Sequence, residues 1–332
     1  MIRIAMVSFA HMHAWSYASC LKMLPDVELS GIFDENTTRG RKMSKIFQTK
    51  YYSKIDKLLE EDIDAVIVCS ENAKHKYHTV LAAKSGKHIL CEKPIATTIE
   101  DAQEMIDTCK LNKVKLMIAF PCRYGSPTIR VKQMIDAGSI GKIIAIKGTN
   151  HGMMPGDWFI NRKLSGGGAV IDHTVHVVDL MRWITKKEVK SVYAEIDTLF
   201  YKFKIDDSAT LSMELEDDIF ATLDPSWSRP LKSAPFWGDV SMKFVGTDGT
   251  IEMNLFGQKF DLYNNDRIKA EWVYWGDNID LGLIKSFVNC IKNNSEPEIT
   301  GYDGLKSLEV ALAAYKSAKL LKPVRLPLQA KK

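Results

Sequence analysis

The sequence predicts two joined architectures: a doubly wound α/β half on a parallel sheet, then an α/β half built on a large, mostly antiparallel open sheet. Three observations carry this. Over about the first 120 residues, short apolar runs rich in β-formers alternate with helical patterns, the signature of βαβ units. From Val189 to Trp275 the chain is strand-like, with short turns between the runs. At 332 residues it is long enough for two domains of ordinary size. The expected division is 1–122, 123–322 and a tail at 323–332.

The elements follow in order. IRIAMV, residues 2–7, reads as a first strand, followed by Ser8-Phe9-Ala10-His11-Met12-His13 and a helical pattern that Pro25 stops. A second strand, Val27 to Phe33, ends at Asp34. A helix is expected around Lys54–Glu61 and a strand at Ala65–Cys69. A helix to Lys84, Gly86 and the strand His88–Cys91 lead to Glu92-Lys93-Pro94. Another helix, near Ile99–Leu111, and the strand Lys115–Ala119 complete the α/β half. Near Pro121–Pro127 the pattern changes: a helix to Ala137 ends at Gly138, and the strand Lys142–Thr149 follows. The runs SVYAEIDTLF, SATLSMEL, IFATLDPSW, DVSMKFVG, TIEMNLF and KFDLYN read as strands. Thr247-Asp248-Gly249 reads as a hairpin turn. Two helices, near Leu281–Lys292 and Gly304–Leu321, close the pattern, and the tail beyond is expected to be poorly ordered.

Composition narrows the function. Forty-five basic against 41 acidic side chains leave a net charge of +4, too small and too scattered for a dedicated nucleic-acid binder. The six cysteines lack CxxC spacing and read as reduced core thiols of a cytoplasmic protein. The N-terminal run reads as a strand, not a signal peptide. No apolar run approaches the roughly 20 residues of a membrane helix.

Chemistry concentrates in Ser165–Asp179, SGGGAVIDHTVHVVD. Three glycines let backbone approach a neighbour closely before an apolar helical run begins. Asp172 and His176 stand four apart on that run, so a carboxylate and an imidazole share a helix face. A proton-transfer pair and a helix cap with a core histidine are both consistent with the pattern.

The first strand–helix turn occupies the dinucleotide-binding position of a Rossmann fold. Its three fingerprint glycines fall on Ser8, Ala10 and His13; the first two replacements are small and the third is bulky. Asp34 ends the second strand 24 residues after Ala10, where a carboxylate binds the ribose 2′-hydroxyl of NAD and repels the phosphate of NADP. Arg39 nearby softens that preference. His11 and His13 are placed to approach a nicotinamide or a substrate, or to form half of a metal site. No histidine pair has a recognised zinc spacing, so no metal is expected. Lys93 ends a strand of the parallel sheet, where a lysine holds a substrate hydroxyl, relays its proton, or simply precedes a turn proline.

GKHILCEKPIA, residues 86–96, resembles the Glu-Lys-Pro signature of the glucose–fructose oxidoreductase/inositol dehydrogenase (Gfo/Idh/MocA) family. Ser70-Glu71-Asn72 with His75, Arg123-Tyr124 with Pro127, and the glycine-rich stretch itself are similar to further motifs of that family, so the resemblance runs along nearly the whole chain. It implies a Rossmann domain, an open-sheet domain, NAD or NADP as cofactor, and hydride transfer at a sugar, inositol or glycoside hydroxyl. Carried over residue by residue, it makes Lys93, Asp172 and His176 the catalytic group. His176 would act as general base and Lys93 would hold the developing alkoxide. It also makes Pro94 part of a cis peptide. Cofactor contacts fall on Ser8, Ala10, His11, Met12, His13, Asp34, Ser70, Asn72, His75, Glu92 and Lys93. Substrate contacts fall on Arg123, Tyr124, His151, Trp158, Arg162 and His173, with loop packing as the alternative for Trp158, Arg162 and His151. The Trp227–Trp237 stretch is a further candidate. A homodimer or homotetramer is expected, its sheet pairing with another subunit. His173 and the missing glycines depart from the family pattern. Two other readings remain open: an NAD-retaining glycoside-cleaving enzyme, and a non-catalytic sensor on the same fold.

Overall fold

The computed structural model describes residues 1–230, 238–264, 269–274 and 276–328, with 259–264 and 269–274 described as backbone alone. The chain forms two compact units. The first comprises Met1–Pro121, Asn161–Gly166 and Asp280–Leu308, and the second Cys122–Ile160, Gly167–Ile279 and Glu309–Lys332.

In chain order the first unit begins with β1 (Ile2–Val7), α1 (His13–Lys22), β2 (Val27–Phe33), α2 (Thr37–Phe47), β3 (Tyr51–Tyr52) and α3 (Ile55–Leu59). It continues through β4 (Ala65–Val68), α4 (His75–Lys84), β5 (His88–Glu92), α5 (Ile99–Leu111) and β6 (Leu116–Ala119). The six strands are all parallel, in the order β3-β2-β1-β4-β5-β6. Strand order reverses between β1 and β4, so the crevice for a ligand lies at their carboxyl ends. Ile4–Val7, Ala65–Val68 and Ile89–Cys91 are fully buried, which is why these runs are continuously apolar instead of alternating.

After α6 (Ser126–Asp136) and β7 (Ile143–Gly152) come the short α7 (Arg162–Ser165) and α8 (Ala169–Thr185). Then follow β8 (Val189–Asp197), β9 (Ser208–Leu215), β10 (Phe220–Asp224), β11 (Gly238–Gly246), β12 (Thr250–Asn254), β13 (Lys259–Asn264), β14 (Lys269–Tyr274), α9 (Ile279–Lys292), α10 (Gly301–Leu320) and β15 (Val324–Arg325). The second unit's main sheet runs β12-β11-β7-β10-β9-β8-β15, antiparallel except where β10 meets β7, and β13 pairs with β14 alone. α8 lies on this sheet at Gly148, where a Cβ would stand 2.7 Å from Val177 Cγ1. Its apolar residues Val177, Val178, Leu180 and Met181 join Leu211, Met213 and Leu223 in one core.

Two expectations change. The segment read as a loose tail carries β15, which pairs with Ser191 and Val192 of β8. The strand β14 falls in KAEWVY, a run given no strand of its own. The outer face of the main sheet is of mixed character: beside exposed Phe220 it presents Thr210, Ser212, Glu214, Thr222 and Lys147, and Lys243 pairs there with Glu252 at 2.6 Å.

Arg123 meets Asp179 of α8 through two hydrogen bonds, Nε to Oδ2 at 2.8 Å and Nη2 to Oδ1 at 2.6 Å, with both residues buried. The guanidinium offered above to a substrate is therefore engaged in tying the entry of α6 to α8. Breaking a buried pair strands one charge. Asp179→Asn should lower the unfolding free energy by about 3–5 kcal/mol, read from urea denaturation. A loss under about 1 kcal/mol would assign the pair no structural role.

Candidate functional site

In the first unit, the predicted residues gather at the carboxyl edge of the parallel sheet. Ser8 follows β1 with φ at 72°, the left-handed conformation a glycine would take freely. Its Oγ accepts from the Ala10 amide at 3.1 Å. Asp34, fully buried after β2, accepts from the amides of Phe9 at 2.8 Å and Asn36 at 2.9 Å. Arg39 then grips it twice, Nε at 2.7 Å and Nη2 at 2.8 Å. A dinucleotide fits this cradle: small residues where backbone must be approached, a left-handed Ser8, and a carboxylate ending β2. Arg39 sets a guanidinium beside the carboxylate that ends β2.

His13 opens α1 and turns its ring toward Glu92 at the end of β5, Nδ1 to Oε1 at 2.8 Å. The bulky third fingerprint position thus points away from the strand–helix contact. The backbone N–H of His13 donates to His11 Nδ1 at 3.2 Å, so His11 caps the first turn of α1. Met12, the N-cap, is exposed. Glu92 Oε2 accepts from the Lys93 amide at 2.9 Å. Burial alone would raise the Glu92 carboxyl, but His11, His13 and Lys93 around it hold it well below the usual carboxylate range. Burial lowers His13, yet Glu92 outweighs that and its pKa is raised. Lys93 is buried, and the Lys93–Pro94 peptide is cis.

Ser70, Asn72 and His75 serve the loops beneath. His75 lies between the carbonyls of Pro94, at 2.9 Å, and Ser70, at 3.1 Å, and burial depresses its pKa. Ser70 Oγ contacts His78 Nδ1 at 2.9 Å. Asn72 donates to the carbonyl of Ser165 at 2.8 Å, pinning the end of α7; Arg162, at its start, is exposed.

In the second unit, α8 carries Asp172, His173 and His176, all buried. The start of α8 is fixed by Asp206, which accepts from the amides of Gly168 at 3.0 Å and Val170 at 2.9 Å and from the Tyr315 hydroxyl. A Cβ on Gly168 would lie 1.9 Å from the Asp206 carbonyl, so only glycine fits there. Trp227, fully buried, donates Nε1–H to Asp172 Oδ2 at 3.1 Å. His173 Nδ1 faces the Pro225 carbonyl at 2.9 Å; a carbonyl only accepts, so Nδ1 carries the proton, and Nε2 lies 3.4 Å from Asp172 Oδ2. His176 Nδ1 is 3.9 Å from Cys122 Sγ. Trp158 is buried and stacks on Phe159 with centroids 3.9 Å apart, and Tyr124 lies partly buried in the turn before α6. Trp237 lies outside the described residues.

His151 sits between two aspartates, Nε2 at 3.1 Å from Asp224 and Nδ1 at 3.0 Å from Asp239, and Arg229 also donates to Asp239. Asp206, Tyr315, Asp224 and Asp239 were not among the sequence candidates, and Trp227 was one only as part of a tryptophan-rich stretch, without its partner. Each is 36 to 147 residues from its partner near α8 or pairs across strands, so no spacing pattern marks it.

Comparison with known proteins adds independent evidence. Residues 2–120 match a family model described as an oxidoreductase family with an NAD-binding Rossmann fold, and residues 128–252 match a GFO/IDH/MocA C-terminal domain. The myo-inositol 2-dehydrogenase of Thermotoga maritima is 27% identical over 330 residues, covering 93% of this chain and 94% of that protein. The D-glucoside 3-dehydrogenase of Escherichia coli is 31% identical, covering 67% of this chain and 66% of its own. A crystal structure of a probable dehydrogenase from Thermotoga maritima matches with a TM-score of 0.85 at 25% identity, covering 98% of this chain and 99% of that one.

The His151 cluster gives the second unit a pH dependence. Hydrogen bonds to Asp224 and then Asp239 raise His151 to about 9, above its ordinary value of 6.5. A folded-state pKa above the unfolded one contributes stability that is fully present below pH 6.5 and is lost as pH rises through about 9. Unfolding free energy should therefore fall across that window by on the order of 3 kcal/mol. His151→Asn should flatten the fall in a pH series of urea denaturations; an unchanged slope would refute the assignment.

Proposed function

This chain belongs to the Gfo/Idh/MocA family and is an NAD(P)-dependent dehydrogenase acting on CH–OH groups, and we propose that its substrate is a hydroxyl of an inositol, a sugar or a glycoside. The observation that carries this is the set of buried polar groups on α8, aimed by the clamped glycine turn, in a chain whose buried Lys93 ends the parallel sheet. When bound, a nicotinamide supplies the hydride acceptor or donor; the proton and the orientation fall to the protein's own residues. Ser8, Ala10, Met12, Asp34 and Arg39 would hold the dinucleotide. His176 takes the substrate's hydroxyl proton, an imidazole being suited to transfer near neutral pH. Lys93 donates a hydrogen bond to a substrate oxygen and stabilises developing negative charge. Asp172, its carboxylate oriented by the Trp227 N–H, binds a neighbouring hydroxyl.

The cofactor is NAD or NADP, with Asp34 favouring NAD. Arg39 opposes that preference, because it already occupies Asp34 and offers a guanidinium to a 2′-phosphate. Arg39→Ala is expected to raise KM for NADP about tenfold while leaving NAD within about threefold. Equal effects on both cofactors would remove Arg39 from cofactor choice.

A panel of inositols, sugars and glycosides scanned for reduced nicotinamide identifies the substrate. On that substrate Lys93→Ala and His176→Ala should each lower kcat/KM by about a hundredfold or more. Near-wild-type turnover in both variants would end the assignment.

A further inference from the structure

His11, His13 and Glu92 converge in a way that hydride transfer does not require. One ligand atom from each lies within 4.8 Å of the other two. Both imidazoles aim Nδ1 at the same carboxylate oxygen, Glu92 Oε1, His13 from 2.8 Å and His11 from 3.7 Å. The rings stand edge to face, centroids 4.4 Å apart. His11 Nδ1 accepts the His13 backbone N–H at 3.2 Å, so it carries a lone pair. That lone pair faces a carboxylate oxygen across 3.7 Å, too far for a proton to bridge. Glu92 is completely buried, with the Lys93 amide on its other oxygen, so Oε1 is the one oxygen turned to both imidazoles. A cation among the three donors turns the facing lone pairs of His11 Nδ1 and Glu92 Oε1 into ligands.

We propose that His11, His13 and Glu92 bind a divalent transition-metal ion of the Zn²⁺ class. Two imidazoles and one carboxylate are a borderline N/O donor set suited to such ions, and three protein ligands leave one coordination position open. The entry path is the His13 side, where the side chain is 33% exposed while His11 is 2% and Glu92 0% exposed. An outer contact holds one ligand: Glu92 Oε2 accepts the Lys93 amide at 2.9 Å. On binding, His13 releases the proton it shares with Glu92 to solvent, and His11 Nδ1 exchanges the His13 N–H for the metal. Affinity therefore falls as pH falls. All three residues belong to one unit, and the site does not depend on the dehydrogenase reading.

The test uses the full chain after chelator treatment, titrated with Co²⁺ for its visible absorption and with Zn²⁺ by calorimetry. Expected are one ion per chain, weaker binding at lower pH, and about a hundredfold loss of affinity in both His13→Asn and His11→Asn. His13 is partly exposed in the first turn of a helix, so its variant keeps the test valid if the His11 variant fails to fold. No saturable binding at micromolar metal, or binding unchanged in the His13 variant, overturns the proposal, as does a loss confined to one of two folded variants. NADH binding, followed on the metal-free protein by fluorescence quenching, reports separately on the dinucleotide reading.

Discussion

A carboxylate taken out of water must be met by donors, and that requirement shapes both units of this protein. Asp206 shows it most directly. Its side chain is satisfied by two amides at the entry to α8 and by the Tyr315 hydroxyl, and its own backbone carbonyl presses on Gly168. The negative charge also sits at the positive end of a helix of 17 residues. Fixing that end sets the rotation of α8, and with it the directions of Asp172, His173 and His176. In the first unit Asp34 and Glu92 play the same part at the ends of β2 and β5, each gathering a loop around itself.

How much of this was legible in the sequence follows from the range of each interaction. Continuous apolar runs such as AVIV declare buried parallel strands, because both faces are covered. The alternation in SATLSMEL declares a half-buried one, and the structure buries Ala209, Leu211, Met213 and Leu215 while exposing Thr210, Ser212 and Glu214. Asp172 and His176 could be paired by helical spacing alone. Long-range partners could not: Trp227 reaches Asp172 from 55 residues away and Glu92 reaches His13 from 79. The glycines of SGGG were read as permitting close approach, but the neighbour approached, Asp206, had no local signature.

The departures from the family pattern acquire physical meaning once the partners are known. His173 donates Nδ1–H to the Pro225 carbonyl and turns Nε2 toward Asp172 at 3.4 Å, beside the carboxylate that Trp227 holds. Ser8 takes on the left-handed backbone of the glycine it replaces, at a cost of roughly 1–2 kcal/mol, and its hydroxyl accepts the amide two residues on. Arg39 converts the carboxylate that ends β2 from an isolated charge into half of an ion pair. None of these alters the strand order; each alters what the same framework offers a ligand.

The two-residue strand β15 has a consequence for handling the protein. It occupies the hydrogen-bonding edge that β8 would otherwise expose. Ser317 fastens it there, its hydroxyl accepting from the Ala194 amide at 3.1 Å and donating to the Lys322 carbonyl at 2.8 Å. A sheet edge left bare is a template for another chain. Trimming the chain before Val324, or fusing a rigid partner directly onto that segment, would therefore convert a closed border into a self-associating one, so affinity tags belong elsewhere.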